Sequence, residues 1–244
     1  MMIKRIVPFI CLVVLSFTAI VVHAEEEVPL QHISVNGTDY ASLQRGAEHF
    51  INYCVTCHGA KFVRYDLLEK IGLNKQQIEK NLILTGSKIS DSMVVAFSSR
   101  DAKEWFGVAP PDLSVEARVR GADWLYSYLK GFYQDDSRPS GWNNVIFPNV
   151  AMPHVLYALQ GTQVLAANAD RQHLTKESLV LEKPGKLTAA EYDQFVYDLV
   201  NYMSFMAEPN RETRIHMGYG VIIFLILGFA LSYALKKEFW KDIH

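Results

Sequence analysis

Apolar positions divide the chain into amphipathic stretches and two segments that are apolar on every side. From Ala41 onward, Leu43, Ala47, Phe50 and Cys54 recur at spacings of four, three and four, the period of one helical face. Cys57 and His58 continue that stripe, and Gly59 ends the helix. Leu67 to Ile83 predicts one or two short helices. Pro110-Pro111 then enforces extended backbone, Asp112 or Ser114 can cap the next helix, and residues 114–133 predict a helix weakened in its middle by Gly121. Residues 134–154, thick with Asp, Asn, Pro, Gly and Ser, predict a loop. The clearest amphipathic helix is in 188–209, where Phe195, Leu199, Tyr202 and Met206 form one stripe that Pro209 stops. There is no alternating strand pattern and no internal repeat. The expected fold between the two apolar segments is mainly α, with long loops. Loops of that length need something else to order them, and a large buried cofactor would do it.

The first apolar segment opens the chain. Lys4 and Arg5 supply a positive start, a long apolar run follows, and Val22-His23-Ala24 offers small residues where a signal peptidase reads. Residues 1–24 therefore predict a secretory signal peptide, with an uncleaved membrane anchor as the alternative. The second segment, Met217 to Leu235, holds no charged residue. At about 1.5 Å per residue it reaches roughly 28 Å, close to the ~30 Å hydrocarbon thickness of a bilayer. Arg211 and Arg214 precede it, Lys236, Lys237 and Lys241 follow, and Tyr219 and Trp240 stand where interfacial aromatics belong. A single transmembrane helix is expected within 211–237, spanning about 217–235. Export by the signal then puts residues 25–210 outside and the tail 238–244 in the cytoplasm.

Composition narrows the classes that remain. A chain of 244 residues holds one good-sized domain with accessories, and 50% hydrophobic against 20% charged residues excludes wholesale disorder. The net charge of −2 becomes −4 once Lys4 and Arg5 are removed (22 basic against 26 acidic side chains), so no basic field points to nucleic acid. With 3 cysteines this is no disulfide scaffold.

Cys54 and Cys57, followed directly by His58, carry the chemistry. On a helix, positions i, i+3 and i+4 share a face. Two thiols one turn apart can bond to the two vinyl groups of a haem while the imidazole meets the iron, and Cys-x-x-Cys-His is the attachment signature of c-type haem. A zinc site needs a further Cys or His pair at short spacing, and none is present. A thioredoxin-like redox pair needs a strand–helix–strand setting, and a disulfide closing so short a loop gains little.

A second axial ligand must come from elsewhere. Met93 sits in a short apolar run, Met203 and Met206 lie on the amphipathic helix, and Met217 is at the membrane edge. Met152 lies in the long loop before Pro153, where a thioether can reach across an open haem face. His154 is the alternative. Haem propionates need donors such as Arg118 or Arg120, two residues whose plain reading is a solvated helix face.

The segments "CVTCH", "APPDLSVEARVRGADWLYSYLKGF", "FPNVAMPH", "MAEPNRETRIHMG" and the C-terminal apolar run resemble, in order, the cytochrome c1 family of membrane-anchored haem subunits in bacterial cytochrome bc1 complexes. The resemblance implies a class I cytochrome c-like haem domain with long loops and one C-terminal transmembrane helix. It implies one covalent haem c on Cys54 and Cys57, axial ligands His58 and Met152, Pro111 on the proximal side and Arg120 as the propionate partner. It further implies single-electron transfer from the Rieske iron–sulfur protein to a cytochrome c, in a dimeric complex with cytochrome b. The haem domain would face the periplasm from the inner membrane. No bond chemistry falls to this chain alone. The sequence departs from the family in having Gly121-Ala122 where a His-Gly-Gly run would follow Arg120, and Pro153-His154 directly after Met152. Two other classes share parts of the pattern: a membrane-anchored c-type cytochrome serving another terminal oxidase or reductase, and a haem protein with an open iron site.

Overall fold

The computed structural model describes residues 28–171 and 173–241. The expected signal, 1–24, lies outside the described residues. In chain order the elements are helix α1 (Tyr40–Tyr53), strand β1 (Ala60–Arg64), a 3-10 turn (Tyr65–Ile71), α2 (Lys75–Asn81), β2 (Ser92–Met93), α3 (Ser99–Phe106), α4 (Glu116–Arg120), α5 (Ala122–Lys130), β3 (Phe132–Gln134), β4 (Trp142–Asn144), α6 (Tyr157–Gln160), β5 (Gly161–Leu165), a second 3-10 turn (Lys176–Ser178), β6 (Leu179–Pro184), α7 (Ala189–Ala207) and α8 (Arg211–Phe239).

The core is built where α1 crosses α7. Asp39 caps α1 by accepting from the Ser42 N–H at 3.1 Å, and Leu43, Ala47 and Phe50 face inward with no exposed surface. They meet Val196, Leu199 and Tyr202 of α7, whose own start is a reciprocal Thr188–Glu191 capping box. The two backbones come close at Gly46. A Cβ there would fall inside the contact distance of the Asp198 carbonyl oxygen and 2.7 Å from Tyr202 Cβ. Beside this crossing, Arg45 reaches Asp198 with two parallel bonds, Nε to Oδ2 at 2.6 Å and Nη2 to Oδ1 at 3.0 Å.

Four expectations change. Among the described residues there are six short strands in three two-stranded antiparallel pairs, β1–β2, β3–β4 and β5–β6. They run from two to six residues and β6 is largely exposed, so no alternating face repeats long enough to show as a pattern. Trp142–Asn144, inside the expected loop, pairs with Phe132–Gln134. The expected helix over 114–133 does not merely weaken at Gly121. It stops at Arg120 and restarts at Ala122, because Gly121 takes φ +90°, a backbone region closed to most side chains. Asp112 and Ser114 cap no helix. Asp112 accepts from the backbone N–H of Lys61 (2.8 Å) and of Ser114 (3.0 Å), and the Ser114 hydroxyl accepts from Phe62 N–H (3.1 Å), so the pair straps the Pro110-Pro111 segment onto β1. The fold is mainly helical nonetheless.

The lead-in ahead of α1, residues 28–39, is bound to the rest of the fold. Ile33 N–H donates to Asp123, and Asn36 exchanges hydrogen bonds with the Asn201 side chain at 2.7 and 3.1 Å. At the other end, α8 runs 29 residues as one helix with its apolar stretch uncovered. At about 1.5 Å per residue it is roughly 43 Å long, enough to cross the hydrocarbon layer and both its edges. Its base is tied to the rest of the fold: Glu208 is ion-paired with Arg214 and, at 3.7 Å, with Arg118, while the Lys70 ammonium donates to Asn210 at 3.1 Å.

Candidate cofactor site

The helix α1 ends where Cys54 N–H makes a last helical bond to the Phe50 carbonyl, at 2.9 Å. One further turn follows, closed on a single acceptor. Cys57 N–H and His58 N–H both donate to the Cys54 carbonyl, at 3.0 and 2.8 Å. That turn holds the three side chains one residue-turn apart although the regular helix has stopped at Tyr53. Both thiols are free and half-buried. Burial pushes the Cys54 thiol up to about 12, with Cys57 adding to the shift. Among the described residues, no group of three or more His, Cys, Asp and Glu side chains stands together as a metal site, which argues against zinc.

His58 is oriented by the strap. Its Nδ1 lies 2.8 Å from the Pro111 carbonyl oxygen. A carbonyl only accepts, so Nδ1 carries the proton and Nε2 keeps its lone pair. This is how a metal-ligating histidine is usually fixed from behind. Burial lowers the His58 pKa, outweighing the Pro111 bond and the nearby Glu116 and Asp112 carboxylates. The ring is thus neutral with a free donor nitrogen. Pro111 itself is held by Leu113 N–H donating to the Gly59 carbonyl (2.8 Å) and by the Asp112 contacts. Burial works against the Asp112 carboxylate, but the Lys61 and Ser114 hydrogen bonds hold its pKa below the ordinary value.

Spacings of four lead from this half of the site to the other. Glu116 pairs with Arg120 at 3.2 Å, and the Arg120 guanidinium lies 4.8 Å from the centre of the Trp124 ring and 5.7 Å from that of Phe147. Trp124 stacks on Tyr128, 4.8 Å between centroids, and the Tyr128 hydroxyl donates to Met152 Sδ at 3.3 Å. Burial raises the Tyr128 phenol above its ordinary value, against the pull of Arg120. The two arginines are thereby separated: Arg120 lies along this file, whereas Arg118 points to Glu208 at the base of α8.

The methionines separate as well. Met93, Met203 and Met206 are buried in the core, Met217 is exposed on α8, and Met152 is half-buried at the core's edge. His154 is buried and its ring is fixed, parallel to Phe132 at 4.9 Å and edge-on to Trp142 at 5.1 Å. Burial drives its pKa down to about 4, with Gln160 opposing weakly, and its Nε2 has no partner in hydrogen-bonding geometry. The residues present suit a c-type haem: two thiols and a pre-oriented imidazole on one turn, a thioether at the edge of the core, and an arginine in the file of contacts that ends at that thioether. Neither the Trp124–Tyr128 stack nor the Tyr128–Met152 bond figured in the sequence reading. The only trace of them there is the four-residue spacing of 116, 120, 124 and 128.

Comparison with known proteins agrees in kind. The model of the family described as "Cytochrome C1 family" matches residues 31–243. The chain is 48% identical to a Nitrosomonas europaea protein named "Ammonia monooxygenase gamma subunit", over 98% of this chain and 100% of that one. It is 42% identical to the cytochrome c1 of Allochromatium vinosum, over 88% and 90%. It is also 28% identical to the mitochondrial cytochrome c1 haem protein of Schizosaccharomyces pombe, over 86% and 69%.

Proposed function

Because the chain belongs to the cytochrome c1 family, we propose that it is the haem-bearing electron-transfer subunit of a cytochrome bc1 complex, taking single electrons from the Rieske iron–sulfur protein and passing them to a cytochrome c. The observation that carries this reading is the closed turn from Cys54 to His58, with the His58 Nδ1–H given to Pro111. A haem bound there supplies one-electron exchange between ferrous and ferric iron. Cys54 and Cys57 would hold it through thioethers, so that it would not leave between turnovers. His58 would offer its Nε2, and Met152 its Sδ, to the iron. Arg120, half-exposed beside Trp124, would hold a propionate, and the Pro111 carbonyl keeps the imidazole from rotating. Nothing in this set makes or breaks a substrate bond.

The topology follows the charge pattern. The leader 1–24 is removed on export, residues 25–210 form the periplasmic haem domain, α8 spans the inner membrane over about 217–235, and 238–244 stay in the cytoplasm. Cytochrome b and the Rieske subunit surround the domain in a dimeric complex.

Denaturing electrophoresis tests the attachment. Haem is expected to stay on the polypeptide, and Cys54→Ser with Cys57→Ser is expected to release it. Haem leaving the unaltered chain would refute covalent binding. A chain ending at Glu208 tests the anchor. It is expected to be exported, soluble and haem-loaded, and its retention in the membrane would mean that a second anchor exists.

One observation favours a second reading. The Nitrosomonas europaea relative is named as a monooxygenase subunit. By that reading this chain delivers electrons to, or takes them from, a different membrane oxidoreductase. Purification in mild detergent separates the two: a b-type cytochrome travelling with this chain supports the bc1 assignment, and its absence beside a monooxygenase supports the other.

A further inference from the structure

Tyr128 is held more firmly than a filler residue needs to be. It is 8% exposed, its ring lies flat on Trp124 and edge-on to Phe132 at 5.1 Å, and its backbone carbonyl accepts from Asn144 Nδ2 at 2.8 Å. The ring cannot swing its hydroxyl to water. A phenylalanine would fill the same stack equally well, so the hydroxyl serves something other than packing. Its partner is the Met152 sulfur at 3.3 Å. A buried hydroxyl needs a partner, and a thioether is a weak acceptor, so this pairing is not one that ordinary packing would select.

We propose that Tyr128 is a positioning residue that raises the haem potential through Met152. The proposal rests on the reading of Met152 as an axial ligand. A thioether sulfur has two lone pairs. With one held by the Tyr128 O–H, the sulfur is restrained in rotation and the second stays free to be given to iron. The same hydrogen bond draws electron density from the sulfur. A poorer donor stabilises ferric iron less, so the ferrous form is favoured and the potential rises. Trp124 sets the ring plane of Tyr128, and Arg120 over Trp124 links this device to the propionate side of the site.

The test is Tyr128→Phe in the full membrane-bound protein, with three readouts. The midpoint potential is expected to fall by about 59 mV, a tenfold change in the one-electron equilibrium. The near-infrared sulfur-to-iron band of the oxidised protein is expected to shift, while covalent haem and the thermal midpoint stay close to those of the parent. An unchanged potential and an unmoved band in Tyr128→Phe overturn the proposal. If the parent lacks the band, or Met152→Leu keeps it, the ligand assignment fails and this proposal fails with it. A band present in the parent, lost in Met152→Leu and unmoved in Tyr128→Phe removes the role of Tyr128 alone. Should Tyr128→Phe not accumulate, the unaltered protein in D2O carries the test: deuteration of the hydroxyl is expected to move the band, and no movement overturns the proposal.

Discussion

Replacing Met152 with leucine is expected to lower the haem potential by about 0.2 V, within the ~0.8 V range over which axial ligation sets haem potentials. Leucine matches methionine in volume, so the edge of the core is preserved and the cost in stability stays under about 1.5 kcal/mol. What is lost is the thioether. On the proposed ligation, ferrous iron would then lose its stabilising ligand, and His58 would be left alone or joined by a harder donor. For one electron, 0.2 V is roughly 4–5 kcal/mol, a factor of more than a thousand in the transfer equilibrium. Electrons from a high-potential Rieske centre would then no longer move forward, and quinol-driven cytochrome c reduction should stop with the haem still attached. Potentiometric titration of the purified membrane protein gives the answer. Met203→Leu and Met206→Leu, both buried on α7, are the matched controls and should change neither potential nor spectrum. A six-coordinate haem at unchanged potential in Met152→Leu would transfer the ligand role, with His154 the next residue to replace. His154 would first have to leave its place between Phe132 and Trp142.

Gly46→Ala is expected to destabilise the fold strongly. On propensity alone the change should help, since alanine is favoured over glycine in a helix interior by about 1 kcal/mol. Packing reverses the sign. The new Cβ meets the backbone carbonyl of Asp198, which cannot step aside as a flexible side chain would, and Tyr202 Cβ at 2.7 Å. The α1–α7 crossing must open, loosening Leu43, Phe50, Leu199 and Tyr202 and lengthening the Arg45–Asp198 fork. Overpacking of this kind costs about 1–3 kcal/mol, and more where backbone is the obstacle, against a total stability of about 5–15 kcal/mol. Because Cys54 follows directly on α1, the damage should reach the haem site. Thermal unfolding should shift down by several degrees, and haem-loaded protein should fall in yield. A midpoint equal to that of the parent would mean that the two helices do not cross at this glycine.

Three features were legible in the sequence because their causes are local. The stripe Leu43, Ala47, Phe50 predicts α1, the stripe Phe195, Leu199, Tyr202, Met206 predicts α7, and the charge-free run to Leu235 predicts α8, since helical periodicity is a property of neighbours along the chain. The Cys54–His58 turn is local as well. Its spacing carries its chemistry, and its closing hydrogen bonds go to a carbonyl three and four residues back.

Only the tertiary structure decided which distant groups meet. Strand pairs as short as Ser92–Met93 exist because a partner strand lies alongside, not because of their own pattern. The lead-in is fixed by Asp123 and Asn201, 90 and 165 residues away. The carbonyl that orients His58 comes from Pro111, 53 residues on, and the hydroxyl on the Met152 sulfur from a helix 24 residues back. Arg118 and Arg120 are equivalent by composition. They part because residues two apart on α4 point to different sides, so that one side chain finds Glu208 at the base of α8 while the other finds Trp124. The composition and period of a chain determine which elements form. Which of its polar groups satisfy one another depends on close packing, where a hydrogen bond is won or lost over a few tenths of an ångström that no spacing along the chain encodes.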